Sequence, residues 1–85
     1  MSVYVEVFGP GCSKCEESAK VAAKFLADRR IPGEVVKFKD VATMASRAIL
    51  STPTIIIGDE TVVRGRILRE ADLDAWLKRH PEAAR

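Results

Sequence analysis

The sequence has few of the features that mark several large classes of protein. Its 85 residues include two cysteines, one histidine and 6% aromatic residues. Lysine and arginine number 14 against 12 acidic residues, and these charges are scattered, so nothing indicates a nucleic-acid partner. No apolar run suits a signal peptide or a membrane span, because Glu6 and then a Gly-Pro-Gly turn interrupt the first one. We therefore expect a cytoplasmic monomer without a membrane partner.

The residues that are present have the balance of one globular domain, with 47% hydrophobic and 31% charged. β-branched runs alternate with segments of helical spacing, which predicts the order β-α-β-α-β-β-α. We expect an α/β fold with a four-stranded mixed sheet, helices on both faces, a domain over 1–80 and a frayed tail over 81–85. The predicted strands are 3–8, 34–39, 54–57 and 61–64, and the predicted helices are 13–30, 41–49 (capped by Asp40) and one between Gly65 and Pro81.

The functional interpretation depends on the two cysteines. Cys12 and Cys15 lie three positions apart, between the first strand and the first helix. A disulfide across so short a loop adds little stability, so in a reducing compartment a catalytic or metal-binding role is favoured. Backbone N–H groups at a helix N-terminus stabilise a thiolate. We expect Cys12 to attack a substrate disulfide, with Lys14 as a nearby positive charge, and Cys15 to resolve the mixed disulfide.

Other uses of the cysteine pair were weighed against this one. A structural zinc site lacks two of its four ligands, since His80 is the only histidine and there is no third cysteine. Two thiolates alone can bind Cu(I), so a copper carrier stays an alternative. A carrier of ferredoxin-like fold would run β-α-β-β-α-β and end on a strand. A redox-sensing module that binds a partner without turnover is a further alternative.

A second signal is Thr52-Pro53, directly before a buried β-branched strand, where a proline suits the first position. The chain also carries the motifs Gly9-Pro10-Gly11-Cys12-Ser13-Lys14-Cys15, Ser51-Thr52-Pro53-Thr54 and the hairpin with Gly58-Asp59-Glu60. Through these motifs, over about Val3 to Leu77, it resembles the short thioredoxin-like, glutaredoxin-like redox disulfide proteins of bacteria and archaea.

This resemblance implies a thioredoxin-like fold and dithiol–disulfide exchange with no bound cofactor or metal. It implies Cys12 as nucleophile and Cys15 as resolving thiol, beside a cis Thr52–Pro53 peptide bond. Substrate would pair there as an added strand, which makes Gly11, Ser13, Thr52 and Pro53 candidate substrate-binding residues. The implied partners are disulfide-bearing proteins and an electron donor, either a flavin-dependent reductase or glutathione. Gly11 stands where ordinary thioredoxin has tryptophan, and Ser-Lys replaces its Gly-Pro.

Glu6 carries a separate hypothesis. It lies six residues before Cys12, where thioredoxin-like strands carry a buried acid beneath the disulfide, and it shares a strand face with Tyr4 and Phe8. Burial would suit it to shuttle a proton to or from Cys15, with Lys37 on the second strand as its counter-charge. A solvated glutamate on a poorly covered sheet face is the alternative that we expect, because glutamate is rarely buried without a partner.

Four further residues have plain structural interpretations. Trp76 lies at helical spacing with Leu73 and Leu77, which predicts core packing. His80 is expected at a solvated helix end. Arg64 and Arg66 could line a substrate groove, but a solvated sheet edge is the expectation for both.

Overall fold

The computed structural model describes residues 3–9, 13–49 and 51–84, and its elements follow the predicted order. The third α-helix is followed by a 3₁₀ helix over Pro81–Ala84. Because the second strand is followed by a helix and not by a third strand, this is not the β-α-β-β-α-β order of a ferredoxin-like metal carrier. The elements are β1 (Val3–Phe8), α1 (Ser13–Asp28), β2 (Gly33–Phe38), α2 (Val41–Ser46), β3 (Thr54–Ile57), β4 (Glu60–Arg64) and α3 (Glu70–Arg79).

The four strands form one mixed sheet in the order β2-β1-β3-β4. β1 is parallel to β2, as expected for two strands joined by a helix, and antiparallel to β3. β3 and β4 form the antiparallel hairpin, whose register shifts between Ile55 and Ile56. Gly58 has a φ of 63° in the turn between them. The predicted four-stranded mixed sheet with three helices is confirmed.

The two faces of the sheet are covered differently. Side chains alternate along a strand, so β1 directs Val3, Val5 and Val7 into a cluster with α1 and α3. We call this side the α1/α3 face. The opposite side is the α2 face, where the rings of Phe8 and Phe38 stack with their centroids 4.8 Å apart. The α1/α3 cluster includes Ala22, Phe25, Leu26, Ile55, Ile57, Val63, Leu68, Leu73 and Trp76.

The end of α2 differs from its predicted position. Asp40 caps the helix as expected, because its carboxylate accepts hydrogen bonds from the N–H groups of Ala42 and Thr43. The helix ends at Ser46, however, and not at Ile49. Ala48 has a φ of 55°, in the left-handed region, and the N–H of Ile49 donates to Met44 O at 2.9 Å. This closure resembles a Schellman-type helix end, which the apolar spacing did not reveal.

The predicted frayed tail is wrong for residues 81–84. Pro81–Ala84 form a 3₁₀ turn, and Ala83 is only 3% exposed within the α1/α3 cluster. The alanine is too small to stand out in the sequence as a core residue. No helix within the described ranges has the length and apolar character needed to cross a membrane.

Candidate functional site

The start of α1 places the predicted site residues in two different environments. Ser13 and Lys14 are exposed at the first two positions of the helix, whereas Cys15 at the third is 3% exposed. Ser18, one turn further along, is fully buried; its hydroxyl donates to Lys14 O at 2.9 Å and accepts from the N–H of Leu68 at 3.0 Å. Ser18 therefore anchors this first turn to the segment before α3. The predicted Cys12 and Gly11 lie outside the described residues.

Gly9, the residue after β1, lies where Cys15 and the Thr52–Pro53 loop come together. A Cβ built on Gly9 would overlap Cys15 Sγ and would lie 3.8 Å from Thr52 Cβ. The absence of a side chain at Gly9 therefore lets the buried thiol lie against the strand end, close to Thr52. The sequence interpretation treated Gly9 only as part of a turn, so this packing role was missed.

The Thr52–Pro53 peptide bond is cis, the isomer that the resemblance implies. Pro53 is buried, and its carbonyl accepts a hydrogen bond from Gly65 N–H at 2.8 Å. Gly65 can supply this bond with a φ of 72°, a conformation that glycine adopts without cost. Thr52 is exposed. The loop is thus tied to the hairpin through Pro53 and open to solvent at Thr52.

The predicted pairing of Glu6 with Lys37 is wrong. In the register of β1 and β2, Glu6 lies opposite Val36 whereas Lys37 lies opposite Val7, so the two side chains leave opposite faces of the sheet. Lys37 Nζ instead donates to Glu16 Oε2 of α1 at 3.0 Å. This hydrogen bond and the charge of Lys37 lower the pKa of Glu16.

Glu6 is buried at 5% exposure, so the expectation of a solvated glutamate is also wrong. Its partner is Arg47, whose Nη1 lies 3.2 Å from both carboxylate oxygens. The Arg47 guanidinium carbon also lies 5.3 Å from the centre of the Phe8 ring. This partner is 41 residues away and just beyond α2, so no sequence spacing pointed to it. Glu6 lies on the α2 face and Cys15 in the α1/α3 cluster, and proton shuttling between them stays a prediction.

The residues outside this site follow the sequence expectation only in part. Trp76 is buried in the core as predicted. His80 is not simply solvated: its ring stacks on Trp76 at 4.8 Å between centroids, and its Nε2 lies 2.9 Å from Glu60 Oε1. His80 and Arg79, which also contacts Glu60, lower the pKa of that carboxyl. Among the described residues no group of three or more histidine, cysteine, aspartate or glutamate side chains could hold a metal ion.

The two arginines beside Gly65 differ from each other. Arg66 makes a two-pronged contact with Asp72, each nitrogen 2.8 Å from a carboxylate oxygen, and this contact lowers the pKa of Asp72. Arg64 is exposed at the end of β4, opposite Thr54. A solvated edge therefore describes Arg64 better than Arg66.

The sequence and the fold both have known relatives. A family model described as a thioredoxin domain matches residues 3–78. The chain is 30% identical to a thioredoxin of Methanocaldococcus jannaschii over 80 residues. This alignment covers 94% of this chain and 92% of that protein.

Two solved structures show the same fold. A thioredoxin-2 of the malaria parasite matches with a TM-score of 0.68 and 22% identity, covering 93% of this chain and 84% of that one. Thioredoxin 1 of Thermosipho africanus matches with a TM-score of 0.62 and 20% identity, covering 93% and 94%. At these identities the likeness concerns the fold alone.

Proposed function

This chain belongs to the thioredoxin family, and we propose from that premise that it exchanges disulfides through Cys12 and Cys15. Membership makes it a thiol–disulfide oxidoreductase at the level of the family. The observation that carries the finer proposal is the packing around Gly9. It allows the buried thiol of Cys15, at the start of a helix, to lie close to the exposed Thr52.

Cys12 is the proposed nucleophile. It directly precedes Ser13, the first residue of α1, and the N–H groups of a first helical turn favour a negative charge nearby. Lys14 is exposed in the same turn and adds a positive charge. Both effects favour the thiolate, which is the attacking species in disulfide exchange.

Cys15 is the proposed resolving thiol. Its burial keeps it away from bulky substrates, so the first attack falls to the other cysteine. The Cys12 thiolate forms a bond to one substrate sulfur as the substrate S–S bond breaks, and the second substrate sulfur leaves as a thiolate. The Cys15 thiolate then attacks Cys12 sulfur and releases the first substrate sulfur. Two electrons pass to the substrate, and the protein retains a Cys12–Cys15 disulfide.

Substrate recognition is proposed at the Thr52–Pro53 loop, which lies close to Cys15. Gly11, Ser13, Thr52 and Pro53 are the candidate residues, and an extended substrate segment would pair with backbone groups there. Ser13 and Thr52 are exposed, which such pairing requires. The proposed substrates are disulfide-bearing proteins, and a flavin-dependent reductase or glutathione would return the two electrons. We propose that the chain works in the cytoplasm, as a monomer, and without a bound cofactor.

A trapping experiment tests the proposal. The Cys15→Ser variant cannot complete the second step, so it should accumulate a mixed disulfide with a disulfide-containing peptide, seen as an added mass that dithiothreitol removes. The matched control is Cys12→Ser/Cys15→Ser, which should form no adduct, while the unaltered protein should turn over repeatedly with dithiothreitol as donor. Adduct formation by Cys12→Ser as fast as by Cys15→Ser, or no exchange at all, would contradict the proposal.

Glu6 has its own test. If Glu6 exchanges a proton with Cys15, Glu6→Gln should alter the pH dependence of disulfide reduction. An unchanged pH–rate profile would show that the carboxylate serves only to hold Arg47.

A further inference from the structure

A small pocket lies on the α2 face, next to the Thr52–Pro53 loop. Its volume is about 220 Å³, which suits one side chain better than a whole small-molecule ligand. It is lined by residues of β3 and β4, by the end of α2 and by Ser51. The lining residues that matter here are Thr54, Ile56, Thr61 and Arg64 on the strands, together with Arg47 and Ser51.

Arg47 is held in place on one side of this pocket. Its backbone N–H donates to the carbonyls of the last turn of α2, and its Nη1 is bound by the buried Glu6. Phe8 lies under the guanidinium. Among the described residues, Glu6 is hydrogen-bonded by Nη1 of Arg47 alone, so the remaining N–H groups of the guanidinium can donate to a ligand. An arginine oriented in this way loses little side-chain entropy when it binds.

Arg64 supplies a positive charge that none of the described residues neutralises. Arg29, Arg66 and Arg79 each contact an acidic side chain, whereas the described residues offer Arg64 neither an ion pair nor a hydrogen bond from its side chain. Because Glu6 balances Arg47, the pocket carries the net positive charge of Arg64. Two guanidinium groups and the hydroxyls of Ser51 and Thr61 are donors suited to a carboxylate.

The pocket adjoins the surface where we propose that substrate pairs. Ser51 directly precedes Thr52, and Arg64 lies opposite Thr54, the residue after Pro53. An extended segment advances about 3.3 Å per residue. Thr52 lies close to Cys15, because both come within 4 Å of the Cβ position of Gly9. If the substrate pairs along this loop, a side chain two or three positions from the reacting cysteine would therefore come near the pocket.

We infer that this pocket is a subsite for a carboxylate side chain of the substrate, so that disulfides with an aspartate or glutamate two or three residues from the reacting cysteine are reduced preferentially. The inference rests on the proposed function. Arg64 and Arg47 would determine specificity, and neither takes part in the exchange of sulfur bonds.

The test uses a series of short disulfide peptides in which one glutamine near the cysteine is replaced by glutamate, one position at a time. We expect kcat/KM to rise about five- to tenfold at one or two positions and to change little at the others. Arg64→Gln should abolish this rise while leaving kcat/KM for the glutamine peptides unchanged. The rise should also shrink at about 1 M salt, because part of it is a solvent-exposed charge interaction.

The matched control is Arg30→Gln, which removes the same charge from an exposed residue just beyond the far end of α1. It should keep the full preference for glutamate, since the 16 residues of α1 place it about 24 Å from the start of that helix. Equal reduction of all peptides, or equal loss of preference in both variants, would overturn the subsite and leave the proposed function standing. No reduction of any peptide would show that the proposed function itself fails, and the subsite with it.

Discussion

The two faces of the sheet are built on different principles. The α1/α3 face is a continuous apolar cluster that reaches from Val3 to Ala83. The α2 face has one short helix, a stacked pair of rings, and a buried carboxylate that an arginine neutralises. Apolar packing therefore supplies most of the stability on the first face. The second face keeps polar groups in fixed positions beside the Thr52–Pro53 loop, at a cost in the apolar area that it buries.

The largest effect is expected in the α1/α3 cluster. Leu68 is fully buried, so Leu68→Ala should lower the free energy of unfolding by about 2–5 kcal/mol through lost burial and a cavity. Val41→Ala is the comparison on the α2 face, where Val41 is 71% exposed, and it should change stability by less than about 0.5 kcal/mol. Urea denaturation measures both. Similar losses of unfolding free energy in the two variants would mean that apolar packing contributes equally to stability on the two faces.

Gly9→Ala should have the next largest effect, because the new Cβ would overlap Cys15 Sγ. We expect a loss of about 1–3 kcal/mol in unfolding free energy, together with slower release of the mixed disulfide. In a Cys15→Ala background the sulfur is gone, so adding Gly9→Ala should cost much less stability there than in the unaltered protein. The double variant Gly9→Ala/Cys15→Ala should therefore be nearly as stable as Cys15→Ala alone. If the two substitutions proved additive, the contact between Gly9 and Cys15 would not be what limits residue 9.

On the α2 face, Arg47→Met should destabilise the protein by about 1–2 kcal/mol, because Glu6 would stay buried without its partner. Replacing both residues, as in Glu6→Leu/Arg47→Met, should recover stability, since two apolar groups need no pairing. Arg64→Met is the matched control and should be nearly neutral in urea denaturation. A larger loss in the double variant than in Arg47→Met would show that the pair stabilises the fold on its own account.

A smaller, pH-dependent effect is expected at Asp72. The hydrogen bond from Arg66 is the main cause of its lowered pKa, and Asp72 also accepts a hydrogen bond from the N–H of Arg69 at the start of α3. A lowered pKa in the folded state contributes stability above the ordinary pKa of 3.8 and loses it as the pH falls through the folded value. Asp72→Asn should therefore cost about 1 kcal/mol at neutral pH. The difference from the unaltered protein should close below pH 3.8 in urea titrations. If the difference in unfolding free energy between Asp72→Asn and the unaltered protein persisted in acid, the charge of Asp72 would not be its source.

The smallest effect should be a gain. Ala48 has a left-handed φ of 55° at the end of α2, and glycine adopts this conformation more readily. Ala48→Gly should raise the free energy of unfolding by about 0.5–1 kcal/mol. The comparison is Ala45→Gly within α2, which should lower it by about as much. Thermal denaturation of the two variants would show opposite shifts.

The sequence predicted the α1/α3 face better than the α2 face, for a physical reason. Burial on the first face follows apolar spacing, so Leu73 and Trp76 could be placed in the core before any coordinates. Glu6 and Arg47 meet only because of the strand register and the position of α2. A shift of one residue in register reverses the face of a side chain, so the position of Lys37 on the second strand could not show whether it lies on the same face as Glu6.

Sequence reasoning named the cysteine pair and Thr52-Pro53 as parts of the candidate site, but it missed Gly9 and Ser18. The cysteine spacing and Thr52-Pro53 carry local signals of helix start and strand start. Gly9 and Ser18 carry none, because their importance comes from what approaches them: a thiol in one case, and the backbone of Leu68 in the other. Close approach between distant segments is not encoded in any spacing along the chain.

The strand order also determines which backbone groups face other molecules. With β2 and β4 outermost, each leaves one row of N–H and C=O groups unpaired, where a neighbouring chain could attach and begin to aggregate. Both strands carry charged side chains, Glu34 and Lys37 on one and Glu60 and Arg64 on the other. Pairing two copies edge to edge would strip these charges of water, which disfavours such pairing at both edges of the sheet.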